Sequence, residues 1–167
     1  MTSYTLDTCA LIYIYEHPNV GGLVACRFDS SKSNFNICSM NRIELERKGY
    51  DFYDVVIRVQ QNIGSKIIVE DITPEIINNA KLLSCGCKCL HKGDREILSF
   101  AISKHSILVT SDKGLLKCCK KIGAKAVNLH GLATNYTKKM FYGRVSRYAK
   151  VIPKKSLWDY WLPVGAK

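Results

Sequence analysis

The chain has 167 residues, of which 47% are hydrophobic and 23% charged. That suffices for one buried core but not for two, and the composition excludes intrinsic disorder. No uncharged apolar run reaches the roughly 18 residues of a membrane helix.

The opening residues lack the basic flank and small-residue cleavage site of a signal peptide. These features predict a soluble, cytoplasmic protein with no membrane partner, whose eight cysteines are mostly thiols. The net charge of +11 is unevenly placed: residues 113–167 carry 13 basic side chains against the single acid Asp159, whereas residues 1–112 carry 12 against 13. A cationic last third implies a polyanionic partner, because Lys and Arg displace counterions from a nucleic-acid backbone.

Taken in chain order, short branched or aromatic runs predict strands at residues 4–6, 35–38, 66–69, 107–110 and 126–129. Helical patterns lie between them: 11–15 extending toward 28, 42–61 with a break at Gly49, 75–83, 95–104 and 113–122. Regular alternation of strand and helix predicts an α/β fold, a three-layer α/β/α sandwich around a mainly parallel five-stranded sheet. Leu132, Tyr136 and Met140, at i, i+4 and i+8, predict a further helix with an apolar face. We expect a domain over residues 1–142 and a basic extension over 143–167, whose Trp158, Tyr160 and Trp161 must dock on something.

Chemistry in parallel α/β folds gathers at the carboxyl ends of the strands. Four acids are predicted there. Asp7 ends the first strand, Glu44 lies in the helix after the second, Asp94 opens the helix before the fourth, and Asp112 follows the fourth directly. Each has a structural explanation as well. Asn41 and Glu44 have capping-box spacing, and Asp7, Asp94 and Asp112 can cap their helices. Capping accounts for their positions but not for the crowding of four carboxylates, which requires a cation or a shared proton. A donor set of carboxylate oxygens, without His or Cys, suits Mg²⁺ or Mn²⁺ better than Zn²⁺.

Four segments carry a family resemblance: Leu6-Asp7-Thr8, residues 39–45 (SMNRIEL), residues 93–98 (GDREIL) and residues 110–115 (TSDKGL). They resemble the four acidic motifs of PIN-domain nucleases, in order and in spacing, over about residues 3–130. The resemblance implies a metal-dependent endoribonuclease, either a toxin of the VapC type in a toxin–antitoxin pair or an RNA-processing enzyme. It makes Asp7, Glu44, Asp94 and Asp112 the catalytic, metal-binding carboxylates. Thr8, Ser39, Asn41, Thr110 and Ser111 are secondary polar candidates. Glu46 and Glu96, two residues from assigned acids and about 200° round their helices, are expected to face away and serve as controls.

Lys113, Lys117, Lys138, Lys139, Arg144, Arg147, Lys150, Lys154 and Lys155 are the candidate RNA-binding residues. The aromatic end is left three roles: an antitoxin seat, a homodimer interface, or a cover for the sheet edge. His91 precedes Asp94 by three residues and is read as a surface histidine. Cys85, Cys87 and Cys89 lack the Cys-x-x-Cys spacing of common zinc sites and are read as thiols. A haloacid dehalogenase-like phosphotransfer enzyme needs a second Asp two residues after the first, and Cys9 stands there. A catalytically silent RNA-binding protein of the same fold remains the alternative.

Overall fold

The computed structural model describes residues 1–83 and 90–135. Cys85, Cys87, Cys89, Tyr136, Met140, the basic candidates from Lys138 to Lys155 and the Trp158–Trp161 cluster lie outside the described residues. By chain contacts, Met1–Ala133 form one compact unit and Thr134–Lys167 a second.

The first unit runs β1 (Thr2–Leu6), α1 (Thr8–Glu16), α2 (Pro18–Phe28), β2 (Ser33–Cys38), α3 (Ser39–Arg47) and α4 (Phe52–Ile63). It continues through β3 (Ile67–Glu70), α5 (Pro74–Leu83), α6 (Lys92–Ser103), β4 (Ile107–Thr110), α7 (Lys113–Ile122) and β5 (Ala126–Asn128). A 3₁₀ turn at Ser30–Lys32 precedes β2. All strand pairings are parallel, in the order β3-β2-β1-β4-β5, with Tyr4 opposite Phe35 on one side and Ile107 on the other. The three-layer α/β/α architecture expected from the alternation of elements is therefore present.

The predicted helix running from residue 11 toward 28 is two helices. Pro18 has no amide hydrogen and disfavours the α conformation at the residue before it, so α1 stops and α2 restarts with proline in its first turn. The break within 42–61 falls as expected. Gly49 takes a φ of +84°, and Asp51 caps α4 by accepting from the Asp54 amide at 2.7 Å. The last strand is shorter than predicted: Leu129 already belongs to a helical stretch, residues 129–135. There Leu132 packs against the core, as its spacing predicted.

The pleat divides the sheet between two cores. Tyr4, Leu6, Phe35, Ile37 and Val109 pack with α1, α2 and α4, while Cys38 and Leu108 pack with Ile76 of α5, with α6 and with α7. Cys9, Cys26, Cys38 and Cys119 are free thiols, as expected. Cys118 departs from that expectation and is disulfide-bonded.

Among the described residues no helix is long and apolar enough to cross a membrane.

Candidate functional site

The strand order places the candidate site. The chain goes from β1 outward to β2 and β3, then returns to lay β4 on the other flank of β1. The connections therefore diverge at the carboxyl ends of β1 and β4, leaving a crevice between them. Asp7 follows β1 and Asp112 lies two residues beyond the end of β4, so both stand at that crevice.

Asp7 is buried, caps α1 and accepts from the Thr8 amide at 2.7 Å through Oδ1. Its Oδ2 accepts from the Thr110 hydroxyl at 2.7 Å and from the Cys9 thiol at 2.9 Å. Thr110 Oγ1 in turn accepts from the Asp112 amide at 3.0 Å, and Asp112 Oδ1 caps α7 through the Leu115 amide at 2.6 Å. One hydroxyl thus fastens the first acid to the backbone of the fourth.

A second chain of hydrogen bonds reaches the other two segments. Asn41 is fully buried. Its Oδ1 accepts from the Cys38 amide at 2.9 Å, and its Nδ2 donates to the Leu6 carbonyl at 3.1 Å and to Thr8 Oγ1 at 3.2 Å. Thr8 Oγ1 donates to Glu44 Oε2 at 2.6 Å. Glu44 lies against Gly93: a methyl group at that glycine would collide with Oε1. The third acid, Asp94, is the next residue after that glycine.

The electrostatics agree with this convergence. Burial pushes the Glu44 carboxyl above its ordinary range, and the charges of Asp7 and Asp94 push it further, against the Thr8 hydrogen bond. Asp94 is raised in the same way, first by burial and then by Asp7, with a smaller contribution from Asp112. Among the described residues none of the four acids forms a salt bridge with a lysine or arginine. The grouping is one of shared field rather than of finished coordination. Among the described residues no three His, Cys, Asp or Glu side chains stand in metal-ligating geometry.

The local roles differ from expectation in several places. The capping box of α3 pairs Cys38 with Asn41, not Asn41 with Glu44, because the helix begins at Ser39 and Asn41 is already its third residue. Asp94 does not open its helix. α6 begins at Lys92 with His91 as its cap, and Asp94 reaches back to accept from the His91 amide at 3.2 Å. Ser39 is turned to a structural task, its Oγ accepting from the Ile72 amide at 3.2 Å.

Glu46 is exposed and paired with Arg42 at 2.8 Å, while Glu96 is buried and lies 3.7 Å from Lys92. Neither of these glutamates figures among the charges that shift Glu44 or Asp94. Lys113 and Lys117 are exposed on α7, directly after Asp112.

Two residues of the site were not singled out from the sequence. Cys9 contacts Asp7, lies 3.3 Å from Thr110 Oγ1 and accepts from the Ser111 amide at 3.2 Å. Burial, followed by the Asp7 charge, raises its thiol to about 12, so it acts as a neutral donor to the carboxylate. Gly93 is the other, and its want of a side chain is what admits Glu44. The only sequence signal for either was proximity to an acid, Cys9 two residues after Asp7 and Gly93 one before Asp94.

No family model matches the chain, and no curated protein matches it by sequence. Solved structures do match. VapBC-1 from nontypeable Haemophilus influenzae has a TM-score of 0.59 at 17% identity, over 77% of this chain and 99% of that one. VapBC2 from Rickettsia felis, bound to a DNA fragment from its promoter, has a TM-score of 0.57 at 17% identity, over 75% and 98%. VapBC from Salmonella typhimurium, also DNA-bound, has a TM-score of 0.58 at 15% identity, over 77% and 99%. The chain has the PIN-domain fold that the four acidic segments foretold.

Proposed function

We propose that the protein is a divalent-metal-dependent endoribonuclease that hydrolyses RNA phosphodiester bonds. The observation that carries this reading is the common field of Asp7, Glu44, Asp94 and Asp112, unrelieved by any lysine or arginine ion pair among the described residues. Such crowding opposes folding unless the site is used, and its all-oxygen donor set fits a hard cation.

Asp7, Glu44, Asp94 and Asp112 would hold Mg²⁺ or Mn²⁺, which when bound lowers the pKa of a water and offsets charge on a phosphate undergoing in-line displacement. The chain's own contribution is positional. Thr110 and Cys9 orient the Asp7 carboxylate, and Thr8, itself braced by Asn41, orients that of Glu44. Both carboxylates keep fixed directions without an ion pair to a lysine or arginine among the described residues. Lys113, Lys117 and the basic residues beyond 135 supply attraction for a polyanion that the acids alone would repel. The likeness to VapBC structures supports an antitoxin-type protein as a partner. The domain's role as a toxin or in RNA processing turns on that partner.

The test is incubation with total RNA, with and without Mn²⁺, beside Asp7→Asn, Asp94→Asn and Glu46→Gln. The first two are expected to lose cleavage by roughly 100-fold or more, equivalent to about 2.7 kcal/mol of transition-state stabilisation, and the third to retain it. Equal activity in all three would reject this site. One observation favours a second reading, RNA binding without cleavage: the acids are not in ligating geometry as they stand. In that case RNA is retained intact by every variant, with or without Mn²⁺.

A further inference from the structure

Beside the carboxylates lies a cleft of about 290 Å³ to which the proposed hydrolysis assigns no role. Its inner wall is Cys9 and Ser111, and through the Cys9 thiol it is one hydrogen bond of 2.9 Å from the Asp7 carboxylate. Tyr13 lines it as well, its ring 4.9 Å from that of His17 in an edge-on contact. The His130 ring stands 5.8 Å from the Tyr13 ring, tilted by 53°. Ser111 lines this space, and its hydroxyl is buried with no hydrogen-bond partner among the described residues. A buried hydroxyl left in that state is costly, and a turn about the Ser111 Cα–Cβ bond toward the cleft would let a ligand atom complete it.

We propose, resting on the endoribonuclease reading, that this cleft seats one nucleobase of the RNA strand, next to the phosphate brought to the carboxylates. Three features select a base over the other parts of a nucleotide. An aromatic face accepts any base by stacking. Turned toward the cleft, the Ser111 hydroxyl offers both a donor and an acceptor to a base edge. At the rim, the Glu16 carboxylate repels a phosphate but not a neutral ring. Lys48, also at the rim, belongs to the same field as the acids, since its charge favours the ionised form of Glu44. It is placed to meet the backbone phosphate that links the seated base to the reacting one. The cleft is therefore where target preference is read, while the basic surface supplies affinity without preference.

The test uses the full chain in EDTA, so that binding is read without chemistry. Short single-stranded RNA carrying one photoreactive base is crosslinked and the attachment mapped by mass spectrometry. Attachment within residues 9–16 is expected. Tyr13→Ala should weaken binding roughly 5- to 150-fold, the range for loss of one stacked base, while Tyr13→Phe stays within about twofold. Ser111→Ala, a smaller change to the packing, should alter the relative affinities for adenine, cytosine, guanine and uracil homopolymers.

Melting curves confirm that each variant is folded. Crosslinks confined to lysines on other elements, together with unchanged affinity of folded Tyr13→Ala, would overturn the base seat even if the chain cuts RNA. A peptide rather than RNA protecting Tyr13 from chemical modification would overturn it as well. Attachment at Tyr13 with no cleavage in Mn²⁺ would sink the hydrolase reading while leaving the base seat standing.

Discussion

At the scale of single residues, the site is defined by carboxylates held where they are uncomfortable. Because the folded chain raises Glu44 and Asp94 above their ordinary range, the native state binds protons more tightly than the unfolded one. The sign follows from linkage: between the ordinary carboxylate pKa and the raised one, these groups lose stability for the fold as pH rises. Asp94→Asn removes that loss and can still accept from the His91 amide. Without divalent ions its melting temperature should exceed that of the parent chain at pH 7, and the gap should shrink as pH falls into the ordinary carboxylate range. Mn²⁺ should stabilise the parent chain at pH 7 and the variant far less. A gap that stays constant down to the ordinary carboxylate range would show that neither burial nor the acidic neighbours raise Asp94.

Asn41 gives the complementary case, a polar residue whose value is structural. Asn41→Ala strips partners from the Cys38 amide, the Leu6 carbonyl and Thr8. Chemical denaturation should show a loss of about 2–4 kcal/mol, because each buried group left unpaired costs roughly 1–3 kcal/mol.

At the scale of elements, two glycines set how closely helices approach. A methyl at Gly93 collides with the flexible end of Glu44. Gly93→Ala should therefore cut cleavage more than tenfold, by displacing that carboxylate, with little change in melting temperature. A methyl at Gly21 meets rigid parts instead, lying 2.5 Å from Asn62 Cβ and 2.8 Å from its backbone. The same chemical change there forces α2 away from α4 and should cost about 1–3 kcal/mol, read as a lowered melting temperature. Neither consequence is legible from the sequence, where Gly21 is one of a glycine pair in a helical pattern and Gly93 stands just before one. What was legible was punctuation. Gly49 takes a positive φ just past the end of α3, where the break was expected. The division at Pro18 escapes a reading based on apolar periodicity, because Ile14, Val20 and Val24 continue the apolar spacing across it and all three are buried in one core.

At the scale of the whole molecule, charge is unevenly placed along the chain, nearly balanced over residues 1–112 and strongly basic beyond them. Affinity of uncleaved RNA, measured in EDTA, should fall steeply with salt. Replacing Lys113 and Lys117 by glutamate should weaken it alike for all sequences. If each lysine neutralises one phosphate, the log–log salt slope should become shallower by roughly 1.4. Lys113 and Lys117 are exposed on one helix and follow directly on Asp112, so polyanion attraction and the acidic site adjoin.

The amino-acid sequence alone determined the alternation of strand and helix and the parallel class of the sheet, and it marked four acids as candidates. Those depend on local periodicity and on the need for a crossover helix between parallel strands, both of which are written along the chain. Only the tertiary structure decided that β4 lies beside β1, that Thr110 and Cys9 share the Asp7 carboxylate, and that Ser111 and Tyr13 border one cleft. Apart from that of Cys9 with Asp7, those contacts join residues about a hundred positions apart. Their partners are selected by packing and burial across the sheet, which no local pattern encodes.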